Sequence, residues 1–384
     1  MASKRLAGSR GIFVRSMVLG VVLGGLLLCP QHFYKPVPPE HRSDKGVTNK
    51  NPTVEETADA ENSVPTDDNK QGLFRERIED AVRAGRPLVV HVIVALCDNK
   101  HQGIVPVPEQ LGNGQDPGNN LYWGAMYGVR TFLTRNAGWK IVAELPDLPE
   151  EVLEKVVFHT TVRHSGREVD VYLVAEAWDG AAIESAIERF MWMAAGYRSE
   201  TVKVRTTSGF EELRAGGSAH LAAYIGHNGL MDFSLSNPPR GPSSTWRPSA
   251  IVLACKSKPY FFERLKQVGG HSLLLTTGFM APEAYTLDAA VRAWAAGSEP
   301  YQVRDRAAAA YHKYQKCGLE AAKRLFFTEW PVERRPDKQL VRHYVAGKRW
   351  RGRLKKILQC RPRLLRQGID LPGIYNIIPS NTAF

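Results

Sequence analysis

Leu88-Val-Val-His-Val-Ile-Val-Ala-Leu96 holds a single polar side chain, His91, in nine residues. A β-branched run this short and this apolar reads as a strand covered on both faces, since a strand with one wet face would alternate apolar with polar. Leu221-Ala-Ala-Tyr-Ile225, Ala250-Ile-Val-Leu-Ala254 and Leu273-Leu-Leu-Thr-Thr277 repeat the pattern. Helical periodicity falls between and after them. Ile183, Ile187, Phe190, Met191 and Ala194 form one apolar face, a helix follows Ser257 through Phe261, Phe262 and Leu265, and another runs from Pro282 through Ala293. Further helices are expected over Tyr122–Arg135 and, as one long element, over Ala307–Phe327. A strand is expected at Trp139–Leu145, and a hairpin of 156–162 with 168–175 around His164-Ser-Gly166. Strands alternating with helices imply an α/β domain: a mainly parallel sheet in a three-layer arrangement, with helices on both faces.

That domain occupies 73–330. Ahead of it, Lys4, Arg5, Arg10 and Arg15 precede an uncharged stretch from Ser16 to Cys29, the layout of a signal peptide or signal anchor over 1–34. No small-x-small cleavage site follows, which favours an uncleaved, single-pass anchor with the body outside the cytoplasm; cleavage would make the protein secreted. Leu28 and Pro30 around Cys29 argue against a lipoprotein signal. Residues 35–72 are polar and proline-bearing, a tether with too little apolar surface to fold.

The net charge of +12 is unevenly placed. Residues 331–384 hold thirteen Lys/Arg against three acids, a surplus of +10, so the rest of the chain carries only +2. The basic character therefore belongs to a C-terminal extension. Within it Trp350, Leu354, Ile357 and Leu358 form an amphipathic basic stretch suited to an anionic membrane surface, the alternative being a solvated, partly disordered extension. A body outside the cytoplasm disfavours nucleic acid as a partner, and no feature sets an oligomeric state. Five cysteines show no C-x-x-C pair and no zinc spacing, and their odd number argues against a disulfide framework and leaves a free thiol.

No phosphate loop, dinucleotide fingerprint, G-x-S-x-G elbow or H-E-x-x-H is present, so neither a cofactor nor a metal is expected. What remains is a reactive side chain at the end of each of two apolar runs, His227 and Cys255. If the runs are parallel strands of one sheet, both side chains emerge at its carboxyl edge, where open α/β sheets bind ligands. A histidine within reach can activate a thiol as nucleophile. Asp98, Asn99, Thr277 and Glu283 also fall at strand ends, as cleft-lining candidates or, equally, as turn formers and a first-turn helix acid. The glycine-rich loop at 103–120 could shape a binding surface or be an ordered surface loop. Cys97 is a further strand-end thiol, read as core; a disulfide with Cys255 that silences the nucleophile would need their α-carbons within about 7 Å.

Ala222-Ala-Tyr-Ile-Gly-His227 and Ile251-Val-Leu-Ala254-Cys255 resemble the two catalytic blocks of the caspase-like cysteine peptidases, the group of caspases, legumains and gingipains. The likeness extends over 85–325 as architecture, with about a dozen residues carrying the motif. It implies a peptidase acting on a peptide or protein, with Cys255 as nucleophile and His227 in proton transfer. It also implies an oxyanion hole from the backbone N–H groups of Cys255 and Gly229. Asn228 intervenes between His227 and Gly229, one residue more than the family pattern. The alternative is a membrane-tethered binding or scaffold module of the same fold without chemistry.

Overall fold

The computed structural model describes residues 67–329 apart from 207, 208, 244 and 245. The expected anchor and basic extension lie outside the described residues, as does the tether up to residue 66; its expected last residues, 67–72, instead open the first helix, Asp67–Arg83. In chain order the elements are α1 (Asp67–Arg83), β1 (Leu88–Ala95), α2 (Val129–Arg135), β2 (Lys140–Glu144), β3 (Val152–His164), β4 (Arg167–Trp178) and α3 (Ile183–Ala194). There follow β5 (Glu200–Thr206), β6 (Gly209–Ala215), β7 (Leu221–Ile225), β8 (Ser249–Leu253), α4 (Ser257–Gln267) and β9 (His271–Thr276). The last are α5 (Ala284–Ala295), α6 (Pro300–Gln315), α7 (Leu319–Leu325) and β10 (Phe326–Phe327).

An eight-stranded sheet runs in the order β10-β9-β8-β7-β1-β4-β3-β2. Its middle, from β9 to β4, is parallel, while β10 at one side and β3 and β2 at the other are antiparallel. The architecture is therefore α/β with a mixed, mainly parallel sheet. Alternate residues of β1 enter different cores. Val90, Val92 and Val94 pack with side chains of α2, α5 and α6, whereas Ile93 and Ala95 pack with α3 and α4. Val89 joins a third cluster closed by the β5–β6 hairpin. Every residue of β1, β7, β8 and β9 is buried, which is why these runs carry no polar alternation.

Several boundaries differ from expectation for identifiable reasons. The β3–β4 hairpin closes on Ser165-Gly166, both at positive φ (48° and 87°), the two-residue turn whose twist matches paired strands. The helix expected from Tyr122 begins only at Val129. Before it, Gly124 packs so closely that a β-carbon there would sit 2.0 Å from the Gly118 carbonyl oxygen, and turns replace helix. The single long helix expected over Ala307–Phe327 is interrupted. Lys316 adopts a left-handed conformation (φ 54°) and Gly318 another (φ 89°), separating α6 from α7, and Phe326–Phe327 pairs with β9 as a strand. The β5–β6 hairpin is an element the sequence pattern does not announce.

Candidate active site

β7 and β8 lie side by side and parallel, with Ile225 opposite Leu253. His227 stands two residues beyond the end of one strand and Cys255 two beyond the other, so both leave the sheet at the same carboxyl edge. Among the described residues no α-helix connects the two strands, only a 3-10 turn at Gly229–Met231 and irregular chain.

Gly226 makes the exit from β7 possible. A β-carbon at that position would lie 2.9 Å from the Ala95 carbonyl oxygen and 3.1 Å from the Tyr224 hydroxyl. The Tyr224 hydroxyl donates to the His227 carbonyl at 2.8 Å and fixes the turn from beneath. The His227 ring engages Asp232 through Nε2 at 2.7 Å, and its side chain keeps 14% exposure. Asn228 is fully buried and donates from Nδ2 to the Cys255 carbonyl at 2.7 Å, tying the two strand ends together. Its Oδ1 is buried with no hydrogen-bond partner. Gly229 fits against the Phe233 ring, which a β-carbon would approach to 2.4 Å.

Cys255 occupies a sharp strand-to-helix turn. Lys256, the next residue, is held left-handed at φ 48°, a strained conformation for a side chain of this kind, and α4 starts at Ser257. The turn is braced from below by two buried hydroxyls. Ser257 Oγ donates to the Val252 carbonyl at 3.0 Å and accepts from the Thr276 amide at 2.8 Å. Thr276 Oγ1 accepts from the Ser257 amide at 3.0 Å and donates to the Ala254 carbonyl. The Cys255 thiol lies against the backbone of Met280, 3.5 Å from both its amide nitrogen and its carbonyl oxygen. Cys255 is partly exposed and sits two residues before an eleven-residue helix, whose dipole favours negative charge at this end.

Cys97 contrasts with it. The side chain is fully buried, burial pushes the thiol up to about 11, and it hydrogen-bonds with Tyr122. Cys97 and Cys255 are both free thiols.

The remaining candidates serve their own loops. Asp98 is 1% exposed, and its carboxylate accepts from the amides of Lys100 (2.8 Å) and His101 (3.1 Å) and from Gln115 Nε2 (3.1 Å). Burial opposes its charge, but these bonds and the His101 ring hold the carboxyl below its usual range. Asn99 exchanges two hydrogen bonds with the Val107 backbone, at 2.9 and 3.0 Å. Together with Asn120, which bonds both the amide and the carbonyl of Cys97, they give the long loop after β1 an internal frame. Thr277 is bound to the carbonyls of Arg324 and Leu325. Glu283 stands at the N-cap position of α5 without a side-chain capping bond, and its carboxylate accepts from Tyr285 (2.5 Å) and Gln315 (3.1 Å); burial raises its carboxyl.

One polar assembly is absent from the candidates above. His91, at the centre of β1, stands 3.1 Å from Glu176 of β4, and Lys155 of β3 bridges Glu176 at 3.0 Å and Glu200 of β5 at 2.8 Å. Arg189 of α3 lies farther off, 3.8 Å from Glu176 and 3.5 Å from Glu200. Trp178 Nε1 donates to the other Glu176 oxygen at 2.9 Å, and the Gly216 amide to His91 Nδ1 at 2.9 Å. Burial works against the Glu176 charge, but His91, Lys155 and Arg189 outweigh it and hold the carboxyl far below the ordinary range. His91, Glu176 and Glu200 offer atoms within 4.8 Å of one another, as metal ligands would. The Lys155 ammonium already fills the cation position, and two acids facing Lys155 and Arg189 leave no surplus negative charge for a metal ion. The sequence signal was there to be read: a histidine and a glutamate inside otherwise apolar runs.

Comparison with family models, with curated proteins and with solved structures finds no match to this chain.

Proposed function

We propose that the domain is a cysteine hydrolase of peptidase type, tethered to a membrane by the apolar stretch near its amino terminus. The observation that carries the reading is the placement of Cys255 on a braced, strained strand-to-helix turn, with His227 leaving the adjacent parallel strand at the same edge. A rigidly held thiol at a helix amino terminus is how a nucleophile is presented, and a core cysteine needs no such support. Asp232 holds the His227 ring through Nε2, leaving Nδ1 as the nitrogen for proton transfer.

In the reaction Cys255 gives its thiol proton to His227, its sulfur attacks a substrate carbonyl carbon and the C–N bond breaks. His227 delivers the proton to the departing amine, and water then cleaves the thioester, regenerating the thiol. Backbone N–H groups of Cys255 and Gly229 are the donors suited to the oxyanion. Exposed apolar side chains on loops leaving this edge, Val105, Met126 and Phe279, suit a polypeptide substrate. Lys256 Nζ lies 4.3 Å from the centre of the Phe279 ring, which places that aromatic beside the nucleophile.

The test is labelling of the full chain, in the membrane fraction of expressing cells, with a panel of peptidyl acyloxymethyl ketones. A covalent adduct on Cys255, lost in Cys255→Ala and slowed at least about tenfold in His227→Gln, is expected. Absence of an adduct from a folded, membrane-bound chain with every probe contradicts the reading and leaves the scaffold alternative.

A further inference from the structure

Beyond the sheet edge, the structure holds a cleft of about 830 Å³ over the charged assembly, bounded by α3, β5 and the loop before β3. That size suits a ligand larger than a single amino acid. Three features of its walls converge on one class.

The first is two guanidinium groups on the lining, one of them beside an indole. Arg189 makes only long contacts, 3.4 Å to the Arg198 carbonyl, 3.5 Å to Glu200 and 3.8 Å to Glu176, so a ligand carboxylate can compete for its donors. Arg198, exposed, lies 5.9 Å from the centre of the Trp192 ring. A guanidinium fork matches a planar carboxylate in two parallel bonds. Five acids line the cleft (Asp147, Glu151, Glu176, Glu188 and Glu200) against four bases (Lys155, Arg189, Arg198 and Lys203), so a dianion such as phosphate is disfavoured more than a monoanion held by a guanidinium fork.

The second is a free strand edge. β5 pairs with β6 alone in a two-stranded sheet, and Glu200, Thr201, Val202 and Lys203 all line the cleft. Consecutive residues point to opposite faces of a strand, so four in a row can line one cleft only along the strand's edge. That edge presents backbone N–H and C=O groups to an incoming extended chain. The third feature is apolar surface on the opposite side, from Trp178 and Leu148.

We infer that this cleft binds an extended peptide through its free C-terminal carboxylate, the acid on Arg189 and Arg198 and the backbone alongside β5. The site is separate from Cys255 and does not rest on the hydrolase reading.

Isothermal titration of the full chain with N-acetyl-Gly-Ala-Leu-Leu, as free acid and as C-terminal amide, tests it. The acid is expected to bind at least about tenfold more tightly than the amide. Arg189→Gln should remove that preference, and Cys255→Ala should leave it unchanged. Should Arg189→Gln fail to fold, Arg198→Gln and Trp192→Ala at the rim are expected to weaken the acid severalfold. Equal affinity for acid and amide, no binding of the acid at millimolar concentration, or undiminished binding by both rim variants overturns the inference.

Discussion

The Val89 amide donates to His220 Nδ1 at 3.1 Å, so the folded state needs that nitrogen unprotonated. Burial first, and then Arg86 and Arg77, lower this histidine to about 4. An unfolded chain takes up the proton near pH 6.5, the folded one only near its lowered value, so stability falls as pH drops between the two. For His220 alone the loss from pH 7.5 to pH 5 comes to about 2 kcal/mol. His271, driven down to about 3 by burial, adds to it in the same direction. Urea unfolding at the two pH values should show His220→Asn, which keeps an acceptor at the Nδ1 position, losing about 2 kcal/mol less than the wild type. An equal loss in both contradicts the assignment. At this scale the sequence was only partly legible. Cys255 and His227 stood out because each ends an apolar run, whereas Lys155, Arg189 and Glu200 lie in unremarkable polar settings and meet only through the packing of α3 and β5 on the sheet.

The turn joining β8 to α4 is the element on which the candidate chemistry depends. Ser257 and Thr276, both fully buried, link four backbone groups of two adjacent strands and the helix start through a closed set of hydrogen bonds. Ser257→Ala leaves the Val252 carbonyl and the Thr276 amide unsatisfied, at a cost of about 1–3 kcal/mol. Chemical denaturation should register that loss, and Cys255 should label more slowly in the folded variant. A variant of unchanged stability and unchanged labelling would remove the bracing from the account. Elements of this kind were readable where burial alone dictates composition, as in β1, β7, β8 and β9. They were not readable where tertiary contacts decide. Gly118 crowds Gly124 and delays α2, two left-handed residues split α6 from α7, and β5 alternates charged with apolar residues over too short a span to stand out.

For the molecule as a whole, the sheet order sets β7 and β8 within its parallel centre and directs their ends to one edge. The same order places Cys97 at the end of β1, next to β7, yet that thiol is sealed beneath Tyr122 and the loop framed by Asp98, Asn99 and Asn120. One fold thus presents three cysteines differently: Cys97 buried, Cys255 partly exposed and Cys317 exposed. Exposure alone ranks Cys317 as the most reactive, whereas a thiol activated by His227 and a helix terminus reverses that order. Site-resolved iodoacetamide alkylation of the native full chain, read by mass spectrometry, separates the two. The account predicts that Cys255 is modified faster than Cys317 and that His227→Gln slows Cys255 at least about tenfold while leaving Cys317 unchanged. Cys255 reacting no faster than Cys317 in the folded protein would contradict it.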